Sequence, residues 1–505
     1  MQKTTRISSR AVPALIALLL FGCAVYFFPR WADPNQNSRL DMIVAVVDDG
    51  TLSIDKYVGN TVDYARVNGH TFSDKPPGSA LLGIPLYAAL KLALNAPLMD
   101  QLVARLAESP AFQATLKADG TGITSDKVRF ALAQVVLTAL IPGLCAVALG
   151  LMLYGYLLGL GLSAGWSAAV ALVFGLATPA FAYAGAYYSH MISAAGLFGA
   201  FLLARTPAAR PARLALCGFL LGLAVICEYS VVPMAGALFV FAGYRLWRDG
   251  AWIKLAWVAL PAGLVGLGLM AYNNTVYGGP FKLGYEFSEL WATQHQTGFM
   301  SLSLPTWEAM WGITFSPFRG LFVLSPVLLL GLPGLAAWWK SGALRAEWWA
   351  SAAILVGMFI FNTSSVMWWG GFAVGPRYIL PALPFLALGL GWAAKAWGRR
   401  GWFAAAFGGL ALVSLLATWG LTLAGQAFPS DALHNPLLEY ALPAWQSGNI
   451  ARNLGTLLGL KGAASLVPLA VFELAVLAGL RLALPGPASV ARPYARQERE
   501  VAHGH

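Results

Sequence analysis

The chain has 505 residues, 58% of them hydrophobic and 11% charged, with a formal net charge of +11. A soluble domain carries about 25% charged residues, so this composition excludes an ordinary soluble globular protein and describes a chain solvated mostly by lipid. The surplus Lys and Arg lie singly or in small groups between apolar runs, a topology pattern rather than a nucleic-acid-binding face.

The N-terminal run, residues 11–28, follows the basic Lys3, Arg6 and Arg10. Leu20-Phe21-Gly22-Cys23 has the outline of a lipoprotein cleavage site. Phe21 is bulky where a small residue is wanted and the apolar run continues past Cys23, so an uncleaved signal anchor is predicted. Cys23, Cys145, Cys217 and Cys227 all lie in or beside apolar runs without metal-ligand spacing, which predicts buried packing thiols and no disulfide.

Residues 29–127 differ from the rest. They carry Asp33, Asp41, Asp48, Asp49, Asp55, Asp63 and Asp74 beside Arg39, Lys56, Arg66, His70 and Lys75. Leu40, Ile43, Val44, Val46 and Val47 predict a short amphipathic helix on the membrane surface. Lys75-Pro76-Pro77-Gly78 predicts a rigid extended turn that brings Asp74 and Lys75 to that surface. Ser79–Leu94 is apolar but short and holds Pro85 and Lys91, so it reads as an interfacial or re-entrant helix, leaving 29–127 as one long outer loop.

Further apolar runs fall near 130–158, 165–186, 188–204, 212–230, 231–247, 253–273, 321–339, 348–366, 378–396, 402–425 and 463–483. With the first run they predict an all-α polytopic membrane protein of about twelve spans. If the spans alternate, Arg205/Arg210/Arg213, Arg245/Arg248/Lys254, Lys340/Arg345, Lys395/Arg399/Arg400 and Arg481/Arg492/Arg496 all face one side, as do the N-terminal cations. That side is the cytoplasm, with both termini in it and the polar loops in the periplasm of a bacterial inner-membrane protein. Residues 1–400 read as the functional module, 401–484 as additional C-terminal spans, and 485–505 as a disordered cytoplasmic tail.

Carboxylates beside Lys and Arg at a membrane surface suit chemistry on a lipid-anchored anion. Most loop carboxylates are expected to be solvated or locally paired; Asp74-Lys75, held by the Pro-Pro-Gly turn, stands out, followed by Arg39 and Asp41. Arg377 and Arg319 sit at outer span boundaries, against the positive-inside pattern, and need anionic partners. His70, His190 and His295 would make a divalent-metal site if they met Asp63 or Asp74, and a divalent ion is the one cofactor the residues suggest.

Asn37-Ser38-Arg39, Gly69-His70-Thr71-Phe72-Ser73-Asp74-Lys75-Pro76-Pro77-Gly78, the turn at Tyr183–His190, and Gly375-Pro376-Arg377-Tyr378 leading into Leu380-Pro381-Ala382-Leu383-Pro384 occur in that order. In this order the blocks resemble the GT-C superfamily of polytopic glycosyltransferases, especially protein O-mannosyltransferases and lipid A aminoarabinose transferases. The resemblance runs to about residue 400. It implies a GT-C-like helical bundle with juxtamembrane helices, a polyprenyl-phosphate-linked sugar donor, and a periplasmic glycan, lipid or protein acceptor. It also implies an inverting displacement, with Lys75 binding the donor phosphate and a loop carboxylate near the acceptor. Arg39, Arg377 and Arg319 join Lys75 as phosphate-binding candidates, and His190 and His70 are the metal candidates. Relatives place an acidic pair just before the arginine of the surface helix, whereas this chain has Asn35-Gln36-Asn37 before Arg39. Amides accept no proton at neutral pH, so the catalytic candidates become Asp74, Asp63 and Asp41. The competing readings are a transporter or lipid flippase, which would place charges inside several spans, and a catalytically inactive scaffold of the same fold.

Overall fold

The computed structural model describes residues 2–31, 33–108, 124–205, 210–298 and 301–484. The predicted tail beyond 484 lies outside them. Among the described residues the chain is all-α apart from one small hairpin. Helices α1 (Gln2–Tyr26) and α2 (Pro34–Val44) precede strands β1 (Ala65–Val67) and β2 (His70–Phe72). Then follow α3 (Gly78–Leu94), α4 (Pro97–Ala107), α5 (Thr124–Thr138), α6 (Leu144–Gly159), α7 (Ala164–Leu176), α8 (His190–Ala204), α9 (Pro211–Cys227), α10 (Val232–Arg248) and α11 (Ala256–Tyr277). The remaining long helices are α12 (Trp307–Thr314), α13 (Gly331–Ser341), α14 (Arg345–Ser364), α15 (Leu383–Trp397), α16 (Gly401–Leu423) and α17 (Val467–Ala483).

Among the described residues, six helical stretches are long and apolar enough to cross a membrane: Lys127–Gly159, Tyr229–Arg248, Trp252–Tyr277, Arg377–Trp397, Gly401–Leu423 and Gly462–Ala483. Four further predicted spans are shorter apolar helices, Ala11–Tyr26, Ala164–Leu176, His190–Ala204 and Pro211–Cys227. Two predicted spans are broken by proline, which removes a ladder donor. The run 165–186 stops at Leu176 and restarts beyond Pro179 as the single turn Ala180–Ala184. The run 321–339 divides into Leu321–Leu324, a 3-10 turn at Pro326–Leu330, and α13. The demoted segment is a bent pair: α3 and α4 meet at 92°, and α3 packs on α2 and α9.

Burial ranks the helices. In Arg377–Trp397, 83% of the apolar window is buried, so α15 is central; in Trp252–Tyr277 the share is 6%, so α11 faces outward. Leu260, Leu264 and Leu267 on α11 are exposed, as a lipid-facing helix requires. The central core collects Phe198, Phe201, Phe385, Leu388 and Trp338. Where α13 crosses α15, Gly331, Gly334 and Gly389 let the two backbones touch, and a Cβ at Gly334 or Gly389 would overlap the facing main chain. All four cysteines are free.

The amphipathic surface helix predicted around Leu40–Val47 is corrected. Every α2 residue from Gln36 to Val44 is buried, polar ones included. Leu40, Ile43 and Val44 pack in an apolar cluster with Ala80 and Tyr87 of α3. On the opposite face each polar side chain from Gln36 to Asp41 makes at least one hydrogen bond, although Gln36 Nε2, Asn37 Oδ1, Arg39 Nε and Asp41 Oδ2 stay buried without a partner. Gln36 Oε1 accepts from the Tyr187 amide at 2.7 Å. Asn37 Nδ2 donates to the Trp31 and Asn60 carbonyls at 2.9 and 2.8 Å, and the Ser38 and Ser73 hydroxyls bond at 2.8 Å.

Candidate active site

The site begins at the hairpin. Asn68 and Gly69 both have positive φ, 51° and 85°, the geometry of a two-residue type I′ turn, which Asn-Gly favours. The antiparallel register pairs Val67 with His70 and Ala65 with Phe72. Continued two pairs further, it sets Asp63 opposite Asp74. The Lys75 ammonium bridges them, 3.0 Å from Asp63 Oδ2 and 3.1 Å from Asp74 Oδ1. All three side chains are buried.

Neighbouring elements lock this triad. Segment 284–289 docks along β1 through an Ala65–Ser288 bridge, and the Ser288 hydroxyl donates to Asp74 Oδ2 at 2.9 Å. Tyr277 at the end of α11 donates to the Ser73 carbonyl at 2.7 Å. A Cβ on Gly78 would lie 2.7 Å from the Ile226 carbonyl, so only glycine lets the Pro-Pro turn sit against the end of α9. The expected delivery of Asp74 and Lys75 to the membrane surface therefore becomes burial between α2, α9 and the 284–289 segment.

Burial pushes the Asp74 carboxyl above the usual carboxylate range, against the opposing pull of Lys75. The Lys75 ammonium is held above its ordinary value because Asp63 and Asp74 outweigh its desolvation. Asp74 Oδ2 accepts from Ser288 and Lys75, while Oδ1 faces the Lys75 ammonium but is buried without a hydrogen-bond partner. Asp63 Oδ1 is buried without a hydrogen-bond partner. Asp41 is fully enclosed, accepting from Asn60 Nδ2 at 3.0 Å, and burial drives its carboxyl well above the normal range. Burial disfavours its charged form and, unlike Asp63 and Asp74, it has no ion pair with Lys75, so Asp41 drops behind them.

A second cluster adjoins the first. Arg39 Nη2 donates to Ser189 Oγ at 3.1 Å, while Nη1 is held by the Asn35 carbonyl at 2.8 Å and by the Asn35 side chain. The Ser189 hydroxyl donates a hydrogen bond to Glu228 Oε1 at 2.5 Å, and His190 Nδ1 lies 3.0 Å from the same oxygen. Beside them the Tyr188 hydroxyl donates to Asp33 Oδ2 at 2.9 Å. Asp33 also caps α2 through the Asn35 and Gln36 amides. Arg39 acts electrostatically on Lys75, and Tyr285 feels both Glu228 and Asp74, so the clusters form one polar region.

The two outer arginines part company. Arg319 is corrected as a phosphate-binding candidate: its guanidinium donates to the carbonyls of Trp369, Gly371 and Pro429 at 3.2, 2.8 and 3.3 Å and packs over Phe318. It clamps two loops together. Arg377 instead lies over the Tyr188 and Tyr378 rings, 5.2 and 5.3 Å from their centroids, with Nε buried and unpartnered. Among the described residues it makes no ion pair with a carboxylate.

The histidine expectation is also corrected. His70 pairs with Asp55 at 2.8 Å on the exposed hairpin, His190 with Glu228, and His295 with Ser301 at 2.8 Å. Among the described residues no group of three His, Cys, Asp or Glu side chains could hold a metal ion. Burial, with Lys75 nearby, brings the His295 imidazole down to about 4. Asp48 and Asp49 pair locally with Lys91 and Lys56, as expected of loop charges. Sequence reasoning passed over Asp33, Ser189, Ser288 and the pairing role of Glu228. An acid inside an apolar stretch was a legible signal for Glu228; the serines carried none.

Fold and site define a polytopic membrane protein with a buried charged centre at one end of its bundle. No protein-family model matches the chain, and no curated protein matches it. Among solved structures it is similar to ArnT from Cupriavidus metallidurans in the apo state, at 16% identity and a TM-score of 0.43, over 94% of this chain and 75% of that one. It is likewise similar to the same protein bound to undecaprenyl phosphate, at 16% identity and a TM-score of 0.42, over 93% and 75%. At this level of likeness, function has to be read from the side chains of this chain.

Proposed function

We propose that this chain is a membrane glycosyltransferase of the GT-C type. It moves a sugar from a polyprenyl phosphate to a glycan, lipid or protein acceptor at the periplasmic face of a bacterial inner membrane. The observation that carries the reading is the buried Asp63–Lys75–Asp74 triad with Arg39 near Lys75, and Arg377 sharing the Tyr188 ring with Arg39. Two carboxylates suit an acceptor hydroxyl, and three cations suit a leaving phosphate.

Asp63 is taken as the base, because Ser288 and Lys75 both hold Asp74 Oδ2 whereas Asp63 Oδ2 has the Lys75 ammonium alone among the described residues; Oδ1 of each carboxylate is buried without a hydrogen-bond partner. As the acceptor oxygen attacks the anomeric carbon, its proton passes to Asp63. The bond to phosphate breaks, and the phosphate leaves with the electron pair. Lys75 keeps one of its three N–H donors for that phosphate after serving two carboxylates. Arg377, without a carboxylate of its own, supplies the second cation. Arg39 orients the Ser189–Glu228 chain and adds to the positive field. Phosphate is a good leaving group, so no general acid is required, and a single displacement inverts the anomeric centre. Residues 1–400 would then form the catalytic module and 401–484 an added pair of spans.

Mass spectrometry of lipid and glycan pools in a deletion strain identifies the substrates, and transfer rates are then measured with purified protein. Asp63→Asn, Asp74→Asn and Lys75→Gln should each lower the rate at least about a hundredfold, with monodisperse folded protein in detergent. Wild-type rates in all three would sink the assignment. Unchanged sugar pools with altered transmembrane lipid distribution would favour a flippase.

A further inference from the structure

A cavity of ≈480 Å³ opens at the other end of the bundle, lined by Arg245, Arg248, Arg345, Tyr244, Asp249 and Glu347. It lies far from the triad. The 17-residue helix α10 begins beside Glu228 and ends at Arg248, a rise of about 26 Å. We propose that this cavity binds a phosphate-bearing anion, in the form of an acidic phospholipid headgroup.

Three features carry this. First, three guanidiniums from two separate chain segments converge on one concavity, whereas arginines that merely set topology stay apart in solvent. Guanidinium is the group suited to planar, multidentate recognition of phosphate. Second, the acids present cancel only part of this charge. Glu347 is buried and already serves Arg205 and Arg245, at 3.7 and 3.6 Å, leaving Asp249 as the lone competing carboxylate against Arg248 and Arg345. Arg245 Nε stays buried without an acceptor. Third, the chain on either side of the lining residues carries large exposed apolar side chains, Trp247, Trp252, Ile253 and Trp349. Tryptophan in such positions belongs at the headgroup level of a bilayer, so the anion at hand is lipid phosphate. The first turn of α14, Arg345–Glu347, also faces the cavity, and its N-cap, Leu344, offers no side-chain hydrogen bond.

The test uses the full chain in nanodiscs of phosphatidylcholine or phosphatidylglycerol, with retained lipid counted by native mass spectrometry. Wild type should retain phosphatidylglycerol preferentially. Arg248→Gln and Arg345→Gln should each weaken that preference about five-fold, and Arg248→Lys with Arg345→Lys, which keeps the charge but not the fork geometry, should fall between wild type and the glutamine variants. Arg399→Gln with Arg400→Gln, cations outside the cavity, should leave it unchanged. In a parallel arm, inorganic phosphate is titrated against thermal unfolding. A phosphate shift that is lost in the glutamine variants, with no lipid preference, keeps the phosphate site and assigns it to a soluble anion instead of a lipid. Glutamine variants that behave as wild type in both arms overturn the proposal. So does an Arg399/Arg400 variant that loses as much lipid, because attraction would then be diffuse.

Discussion

Helices α2 and α15 are both almost wholly buried, for opposite reasons. From Leu383 to Ala394, α15 is apolar throughout and sits in the centre of the bundle. From Gln36 to Asp41, α2 buries amides, a hydroxyl, a guanidinium and a carboxyl, each held by a partner on another segment. Apolar burial is non-directional and tolerates sliding and repacking. A paired polar helix has one position in which its donors and acceptors are satisfied, and elsewhere it is costly. The membrane-embedded part therefore supplies the scaffold, and α2 fixes the geometry of the charged site.

The sharpest way to break this contrast is to exchange the two kinds of residue. Leu388→Asp in α15 should cost about 3 kcal/mol or more, since it places a charge without a partner at a helix centre. Loss of folded protein by size exclusion in detergent would register it. In the polar region, Glu228→Gln keeps the shape but removes the charge facing His190 and Ser189. It should cost about 2 kcal/mol in thermal unfolding and slow the proposed sugar transfer at least about tenfold. A Glu228→Gln variant with wild-type transfer rates would reduce this second cluster to a structural one. Ser38→Ala breaks a single neutral bond to Ser73, with an expected loss of about 1 kcal/mol.

The smallest effect is the most discriminating. The Asp41 carboxyl is raised by burial, so it is neutral in both folded and unfolded chains at pH below about 4. As pH rises past that value the unfolded chain ionises and the folded one does not, so stability declines until the folded carboxyl titrates. Asp41→Asn keeps an acceptor for Asn60 and should flatten that decline, with the melting temperature equal to or above wild type at pH 8 and sugar transfer retained. A steep loss of activity would return Asp41 to the list of bases.

How much of the site was legible varies residue by residue. Asn68-Gly69 favours a type I′ turn by its own backbone preferences, and a two-residue turn fixes strand register. The approach of Asp63 to Asp74 was therefore written in residues 63–74, although the prediction stopped at the Pro-Pro-Gly turn. The separation of Arg319 from Arg377 was not legible. Both stand at span boundaries in small-residue contexts, and only the loops around Trp369, Gly371 and Pro429 decide which guanidinium is consumed by carbonyls.

The sequence by itself determined that this is a helical membrane protein, that its polar residues gather in 29–127 and a few other loops, and that Lys75 stands beside an acid on a rigid turn. Composition, period and turn chemistry are local, so they survive without a fold. Only the tertiary structure decided that α2 is interior, that His70 and His190 never meet, and that Glu228 joins Arg39 through Ser189. Those outcomes depend on contacts between residues tens to hundreds of positions apart, and no local preference encodes which buried polar group will find which partner.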